Sequence, residues 1–271
     1  MRRRWIADTV SPASGHPTHA ALTGEQAAHL ARVLRATPGQ VYDVVANGFL
    51  HRAEITYVRA GSNAEDAEVL FTLHEELESD AALPLHLLLA IFKFDHMEWA
   101  IEKTTELGVS RITPILARRT EKHLAQSALK RTERWRRIVL EASKQSRRTD
   151  IPEIADPLAL KQALAEEKSP TRILLSETEQ STSLTTALEI SSNNVRVPHP
   201  SQLHRDGWDE QSSLTRSTTH ALAIGPEGGW TPEEMSLFTQ HNWQPVTLGP
   251  RILRAETAAI AATAIAATYL S

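Results

Sequence analysis

"LHLLLAIFKFDHMEWAIEKTTELGVSRITPILA", residues 85–117, decides the fold. Its first eight residues, LHLLLAIF, form the continuous apolar run of a strand buried on both faces. The pattern then changes period. Asp95 is placed to cap a helix, Glu98 three residues on completes a capping box, and Gly108 ends it. Met97, Ala100, Ile101 and Thr104 fall on one face of that helix. VSRITPILA is a second apolar strand. Strand, helix and strand in 33 residues make a βαβ unit, and a βαβ unit implies a parallel sheet.

Toward the C-terminus the alternation continues. A basic helix carries Trp135, Ile138, Val139 and Ala142, and the strand RILLS occupies 172–176. Residues 178–218 are rich in Ser, Thr and Asn and read as a long insertion or mobile loop. The strand HALAI, a helix from Pro232, the strand QPVTLG and the terminal helix AETAAIAATAIAATYL complete an α/β domain spanning 84–271. Toward the N-terminus, residues 1–75 read as β-rich, a small barrel or open sheet. GQVYDVVANGFLHRAEITYV pairs two runs around Asn47-Gly48, a type I′ hairpin signal. TGEQAAHLARVLRATPG is a short helix capped by Thr23 and ended by Pro38-Gly39. His74 to Pro84, acidic and polar, is the expected linker. No internal repeat is present.

Composition excludes several classes. The chain of 271 residues is 41% hydrophobic and 23% charged, as in soluble globular proteins. No apolar run reaches the roughly 20 residues of a membrane span. Met1-Arg2-Arg3-Arg4-Trp5 is basic, but no apolar stretch follows it, so no secretion signal is expected. Without cysteine there is no disulfide and no thiolate metal site, and the 12 histidines show no metal-ligand spacing. A cytoplasmic protein without a metal is the expectation. The net charge of −4 is segregated: residues 118–148 hold 11 Lys and Arg against three Glu, a net of +8. Such a segment suits either a nucleic-acid backbone or a solvated helix face.

Two glycine-proline turns end successive strands. Gly225-Pro226-Glu227-Gly228-Gly229 is neither GxGxxG nor a Walker loop, because the lysine is missing. Glycine there allows positive φ and close approach of a ligand to the backbone. Thr231, Pro232 and Glu234 cap the following helix, so its N-terminus is a poor phosphate cradle, and Glu227 adds repulsion. An adenosine-type ligand with positive charge suits the loop better. Gly249-Pro250 opens the second turn, with Arg251, Arg254, Glu256 and Thr257 at the start of the last helix. An Arg-Glu pair that merely caps this helix is the alternative reading.

These motifs, Gly225 to Gly229 and LGPRILRAETA at 248–258, together resemble one family: the bacterial 16S ribosomal RNA uracil-N3 methyltransferases (RsmE type) of the SPOUT superfamily. The resemblance extends through HLARVLRATPGQ, ANGFLHRAEI, MEWAIEKTTELGVSRITPILARRT and RWRRIVLEASKQSRRTDIPEI, and so covers nearly the whole chain. It implies a PUA-like β-barrel followed by an α/β domain with a deep trefoil knot, S-adenosylmethionine (AdoMet) bound in the knot, and a homodimer packed through knot elements. The implied cofactor residues are Leu175, Ser176 and Glu177, then Ile224, Gly225, Pro226, Glu227, Gly228 and Gly229, then Leu248, Gly249, Ile252, Leu253, Arg254 and Thr257. The chain departs from the family pattern at Lys144, where Glu is usual, and at Phe94, where glycine is common.

The implied reaction is methyl transfer to N3 of a uridine in 16S ribosomal RNA, within the assembled or nearly assembled small subunit. Arg254 is the candidate cation for charge developing on the uracil oxygens, and Glu256 the candidate to orient Arg254 or take a proton. Arg4, Arg32, Arg35, Arg118, Arg119, Lys122, Arg147 and Arg148 are the candidate phosphate contacts. The rival readings are a SPOUT methyltransferase acting on transfer RNA or on 2′-hydroxyls, and a non-catalytic RNA-binding assembly factor.

Overall fold

The computed structural model describes residues 4–11, 18–77, 82–194 and 219–270. The chain divides into two compact units, Met1–Ala81 with Ser143–Ile151, and Ala82–Ala142 with Pro152–Ser271.

The first unit holds a six-stranded sheet in the order β1-β4-β5-β6-β3-β2. Its strands are β1 (Arg4–Ile6), β2 (Thr9–Ser11), β3 (His19–Thr23), β4 (Val41–Ala46), β5 (Phe49–Arg59) and β6 (Glu68–Leu77). All neighbours are antiparallel except β1 and β4. Register shifts in β5 after His51 and after Ile55 bend it, as bulges do. Leu22, Leu30, Val44, Ile55, Val69 and Phe71 fill the core. Asn47 and Gly48 have φ of 51° and 85°, both positive, as a type I′ turn requires. The helix α1 (Gly24–Ala28) runs into a π-helical turn, His29–Val33, and ends before Arg35, whose φ is 51°. Two expectations change here. Thr23 stands at the N-cap but makes no side-chain cap, because its N–H and hydroxyl both donate to Asp8. The acidic segment from His74 is not all linker, since β6 runs to Leu77.

The second unit is a parallel sheet in the order β10-β8-β7-β12-β11-β13, with β9 beside β8. These strands are β7 (Leu85–Ala90), β8 (Arg111–Leu116), β9 (Glu153–Ile154), β10 (Leu158–Ala159), β11 (Thr171–Leu175), β12 (His220–Ile224) and β13 (Gln244–Val246). Every residue of β7 is buried. Leu85, Leu87 and Leu89 face the core under α2 (Phe94–Glu106), α3 (Lys122–Ser146) and α7 (Ala255–Leu270). Leu88 faces the opposite core under α4 (Leu160–Glu166) and α6 (Pro232–Gln240). The continuous apolar run is thus the two-sided burial of a central parallel strand.

Asp95 is not the cap of α2. The N-cap is Lys93, and no side chain caps it. Glu98 is instead drawn to Arg131 and Arg134 of α3, at 3.4 and 2.7 Å. Phe94 packs edge-on to Trp135 with Arg131 over its ring, so this departure from the family pattern joins α2 to α3. Residues 178–218 are not one long loop. Leu184–Asn194 form α5, which buries Leu184, Ala187 and Leu188 in the core with α7; residues 195–218 lie outside the described residues.

Candidate functional site

Parallel strands deliver their following loops to one edge of the sheet. A cavity of about 800 Å³ opens there, between the loops after β11, β12 and β13 and the first turn of α7. Ligand pockets fall in the range of about 300–1,000 Å³.

The β12 loop is built as a turn. Gly229 N donates to Pro226 O at 2.8 Å, so Glu227 and Gly228 are the corners of a β-turn. The left-handed glycine is Gly229, with φ 69°, and not Gly228. Gly225 is small for a different reason: a Cβ would come within 3.1 Å of Trp230 Nε1. Trp230 in turn packs edge-on to Phe238 of α6, which packs on Trp243, so aromatic rings brace the loop from behind. The capping box reads as expected. Thr231 N donates to Glu234 Oε2 at 2.9 Å, and Glu234 N to Thr231 Oγ1 at 3.3 Å. Glu234 does more than the sequence shows. It is 3% exposed, and its Oε1 accepts from Arg118 N at 2.8 Å, joining the loop after β8 to the start of α6.

The loop after β13 carries Gly249 at φ 118°, where only glycine is at ease. Thr247 Oγ1 holds the turn by donating to Gly249 O and accepting from its N–H, both at 3.1 Å. After β11, Glu179 is fixed by the hydroxyl and N–H of Ser181 and by the N–H of Thr182, which hold its carboxyl down at about 2.

All the expected cofactor residues line this cavity except Thr257. Ala255 and Ala258 share the cavity face of α7, one turn apart, so Glu256 and Thr257 rotate away from it. Thr257 is exposed on the helix. Glu256 is buried, with Oε1 3.4 Å from His96 Nδ1 on α2 and Oε2 without a partner among the described residues. It does not line the cavity, and among the described residues it forms no ion pair with Arg254 of the kind the Arg-Glu capping alternative requires. Arg254 lines the cavity with an exposed side chain. Trp230, Met235, Glu179 and Thr247 join the lining without having been singled out in the sequence.

The basic candidates separate. Arg4 Nη1 donates to Arg147 O, and Arg32 to the carbonyls of Ala60, Gly61 and Asn63. Arg148 is buried against Asp150 at 2.6 Å, with 7% of its side chain exposed. The partners of these three all lie within the first unit. Arg35, Arg118 and Lys122 are exposed, Arg147 half-buried. Arg119 lies in the cavity lining, with Nη1 donating to Gly228 O. Among the described residues no group of His, Asp or Glu is placed to hold a metal, and no helix is long and apolar enough to cross a membrane.

Residues 79–267 match the RNA methyltransferase domain family. A ribosomal RNA small subunit methyltransferase E from Synechocystis sp. is 34% identical over 238 residues, 88% of this chain and 69% of that protein. One from Bacillus subtilis is 30% identical over 262 residues, 95% and 93% of the two chains. The crystal structure of a ribosomal RNA small subunit methyltransferase E from Neisseria gonorrhoeae, bound to S-adenosyl methionine, superposes with a TM-score of 0.70 at 27% identity, covering 99% of this chain and 97% of that one.

Proposed function

Because this chain belongs to the ribosomal RNA small subunit methyltransferase E family, we propose that it methylates N3 of a uridine in 16S ribosomal RNA with AdoMet as donor. The observation that carries the reading is the cavity itself. Its walls combine glycine backbone with apolar Leu175, Ile224, Leu248, Ile252 and Leu253, as an adenosine requires. Its charged lining is balanced, three arginines (119, 251 and 254) against three glutamates (177, 179 and 227). The nearby N-terminus of α6 is already satisfied by Thr231 and Glu234. Such a site disfavours di- and triphosphates and accepts a sulfonium. The cofactor supplies an electrophilic methyl group; the chain's own residues must orient the acceptor and manage charge.

N3 of uracil is a protonated imide that base pairing covers, so the base must be unpaired before reaction. Loss of the N3 proton throws negative charge onto the flanking carbonyl oxygens. Arg254, free of any side-chain partner among the described residues, is the cation for that charge. Glu256 acts at one remove, seating the first turn of α7 against His96. Arg118, Lys122, Arg35 and Arg147 are the proposed phosphate contacts. The α/β unit takes the SPOUT fold, and its trefoil knot would involve the segments from β12 to α7. A second copy would cover α7, whose only charged residue is Glu256 and whose Ile260, Ala261 and Ala264 are only half-buried. The site of action is the small subunit in the cytoplasm.

The test is methylation of small ribosomal subunits and of naked 16S RNA lacking the modification, using isotopically labelled AdoMet, with nucleoside mass mapping. Label in 3-methyluridine supports the reading. Label on a ribose or in transfer RNA, or none despite cofactor binding, overturns it. Light scattering should give twice the 30.0 kDa chain mass; a monomer would overturn the dimer.

A further inference from the structure

We propose that Arg119 and Glu177 together hold the zwitterionic amino-acid end of the cofactor, so that Arg119 is a cofactor residue and not a phosphate contact. The inference rests on the cofactor reading above and deepens it.

Two loops place Arg119. Thr120 Oγ1 donates to Ile91 O at 2.9 Å, and Arg118 N to the buried carboxylate of Glu234 at 2.8 Å, so the residues on either side of Arg119 are fixed. Arg119 then lies across the β12 turn, its Cδ 3.1 Å from where a Cβ on Gly228 would stand, and Nη1 donates to Gly228 O. One of its five N–H donors is used in this way, and the planar fork keeps the others for a ligand.

Glu177 approaches the same point from the β11 loop. A Cβ on Gly229 would lie 3.9 Å from Arg119 Nη1 and 3.9 Å from Glu177 Oε2. Opposite charges thus flank one bare stretch of backbone in the cavity wall, yet they form no ion pair. Among the described residues the Glu177 carboxylate has no hydrogen-bond partner. Glu179 is committed to Ser181 and Thr182, and Arg251 and Arg254 belong to the β13 loop.

Charge decides what this rim accepts. A phosphate brought to Arg119 would also meet Glu177, and two like charges a few ångströms apart repel by more than the surface value in water. An α-amino acid carries ammonium and carboxylate on one carbon, and each finds its complement here. Placing this end of the cofactor at Gly229 leaves Arg254, on the β13 loop, for the acceptor base.

Calorimetry with two ligands tests the assignment. S-adenosylhomocysteine keeps the amino-acid end, while 5′-methylthioadenosine lacks it. Arg119→Ala and Glu177→Gln should each weaken S-adenosylhomocysteine about 10- to 100-fold, the scale of one charge-assisted hydrogen bond or pair. Both should leave 5′-methylthioadenosine within about twofold, which also reports that the adenosine site is intact, and Arg119→Lys should recover only part of the loss. Equal weakening of both ligands, or of neither, overturns the inference. So does an Arg119→Ala variant that loses affinity for 16S RNA without cofactor while holding S-adenosylhomocysteine as wild type does. If the wild-type chain binds neither ligand, the cofactor reading itself fails.

Discussion

Replacing Glu234 should damage the protein more than loss of a helix cap. Its carboxylate is 3% exposed and accepts from two main-chain N–H groups on different loops, Arg118 at 2.8 Å and Thr231 at 2.9 Å. A hydrogen bond to a charged acceptor contributes about 1.5 kcal/mol at the low end, so Glu234→Ala should lose about 3 kcal/mol. An ordinary cap is worth about 1 kcal/mol. At about 2–4 °C per kcal/mol for a chain of this size, the thermal midpoint should fall by about 6–12 °C. Glu234→Gln should be nearly as severe, because its amide keeps one acceptor oxygen and turns an NH2 toward the other donor. The assays are thermal and urea unfolding of both variants. Calorimetry below the transition adds a second readout, since a loosened β8 loop frees Arg119 and should weaken S-adenosylhomocysteine more than 5′-methylthioadenosine. A loss of no more than about 1 kcal/mol in Glu234→Ala would reduce Glu234 to a cap and refute the two-loop role.

Three further outcomes follow from the geometry. Arg254→Ala should lower the single-turnover methyl-transfer rate by about 10²- to 10³-fold with little change in cofactor affinity, and Arg254→Lys should recover little; a wild-type rate would end its catalytic assignment. Gly249→Ala should lose about 1–3 kcal/mol from backbone strain alone, because φ is 118° and nothing lies within 4 Å of the added Cβ. Gly229→Ala, at φ 69°, should lose only about 1 kcal/mol by urea unfolding, and the reverse order would contradict the loop geometry. The buried Glu167 predicts acid sensitivity. Burial pushes its carboxyl up, but the hydrogen bond and charge of His86, with the N–H of Ser169, carry it down from 4.5 to about 2. The unfolded chain therefore takes up this proton first, and the stabilisation present above pH 4.5 is lost as pH falls toward about 2. Urea titrations from pH 5 to pH 3 should show a shallower loss in Glu167→Gln than in wild type; parallel slopes would exclude the pair as the cause.

The sequence was most legible where burial forces a pattern. A strand covered on both sides must be apolar throughout, so β7 and the βαβ unit were readable from Leu85 to Ala117. Glycine and proline at strand ends marked the β12 and β13 loops, because backbone conformation there restricts residue type. Polar signals misled more often. Asp95 and Glu98 have capping-box spacing, but Glu98 is taken by two arginines over 30 positions away, which no local pattern reveals. Ser and Thr concealed α5, although Leu184, Ala187 and Leu188 already stood at helical spacing. Arg119 read as one cation in a basic segment, because its partner at Gly228 is 109 positions away. Glu256 read as a neighbour of Arg254, and helical rotation sets the two on different faces.

The glutamate in the glycine turn now has a physical setting. Glu227 occupies a corner of the β-turn and is exposed, so it does not hold the loop together. Holding it falls to the Gly229-to-Pro226 hydrogen bond, the Trp230 brace and Arg119 on Gly228. Loops that cradle phosphates leave main-chain N–H groups unsatisfied at a helix N-terminus. Here those groups are met by Thr231 and Glu234, and Glu233 in the same turn is held ionised by its own N–H, the Thr231 hydroxyl and the charges of Arg118 and Arg119. The N-terminus of α6 therefore offers no free N–H groups to an anion, and the cavity lining beside it carries charges of both signs. Under the proposed function, polyanionic RNA would be met outside the cavity, by exposed cations such as Arg118 and Lys122. On the same reading, a single uracil, uncharged until its proton leaves, is the part of the RNA that would enter the cavity.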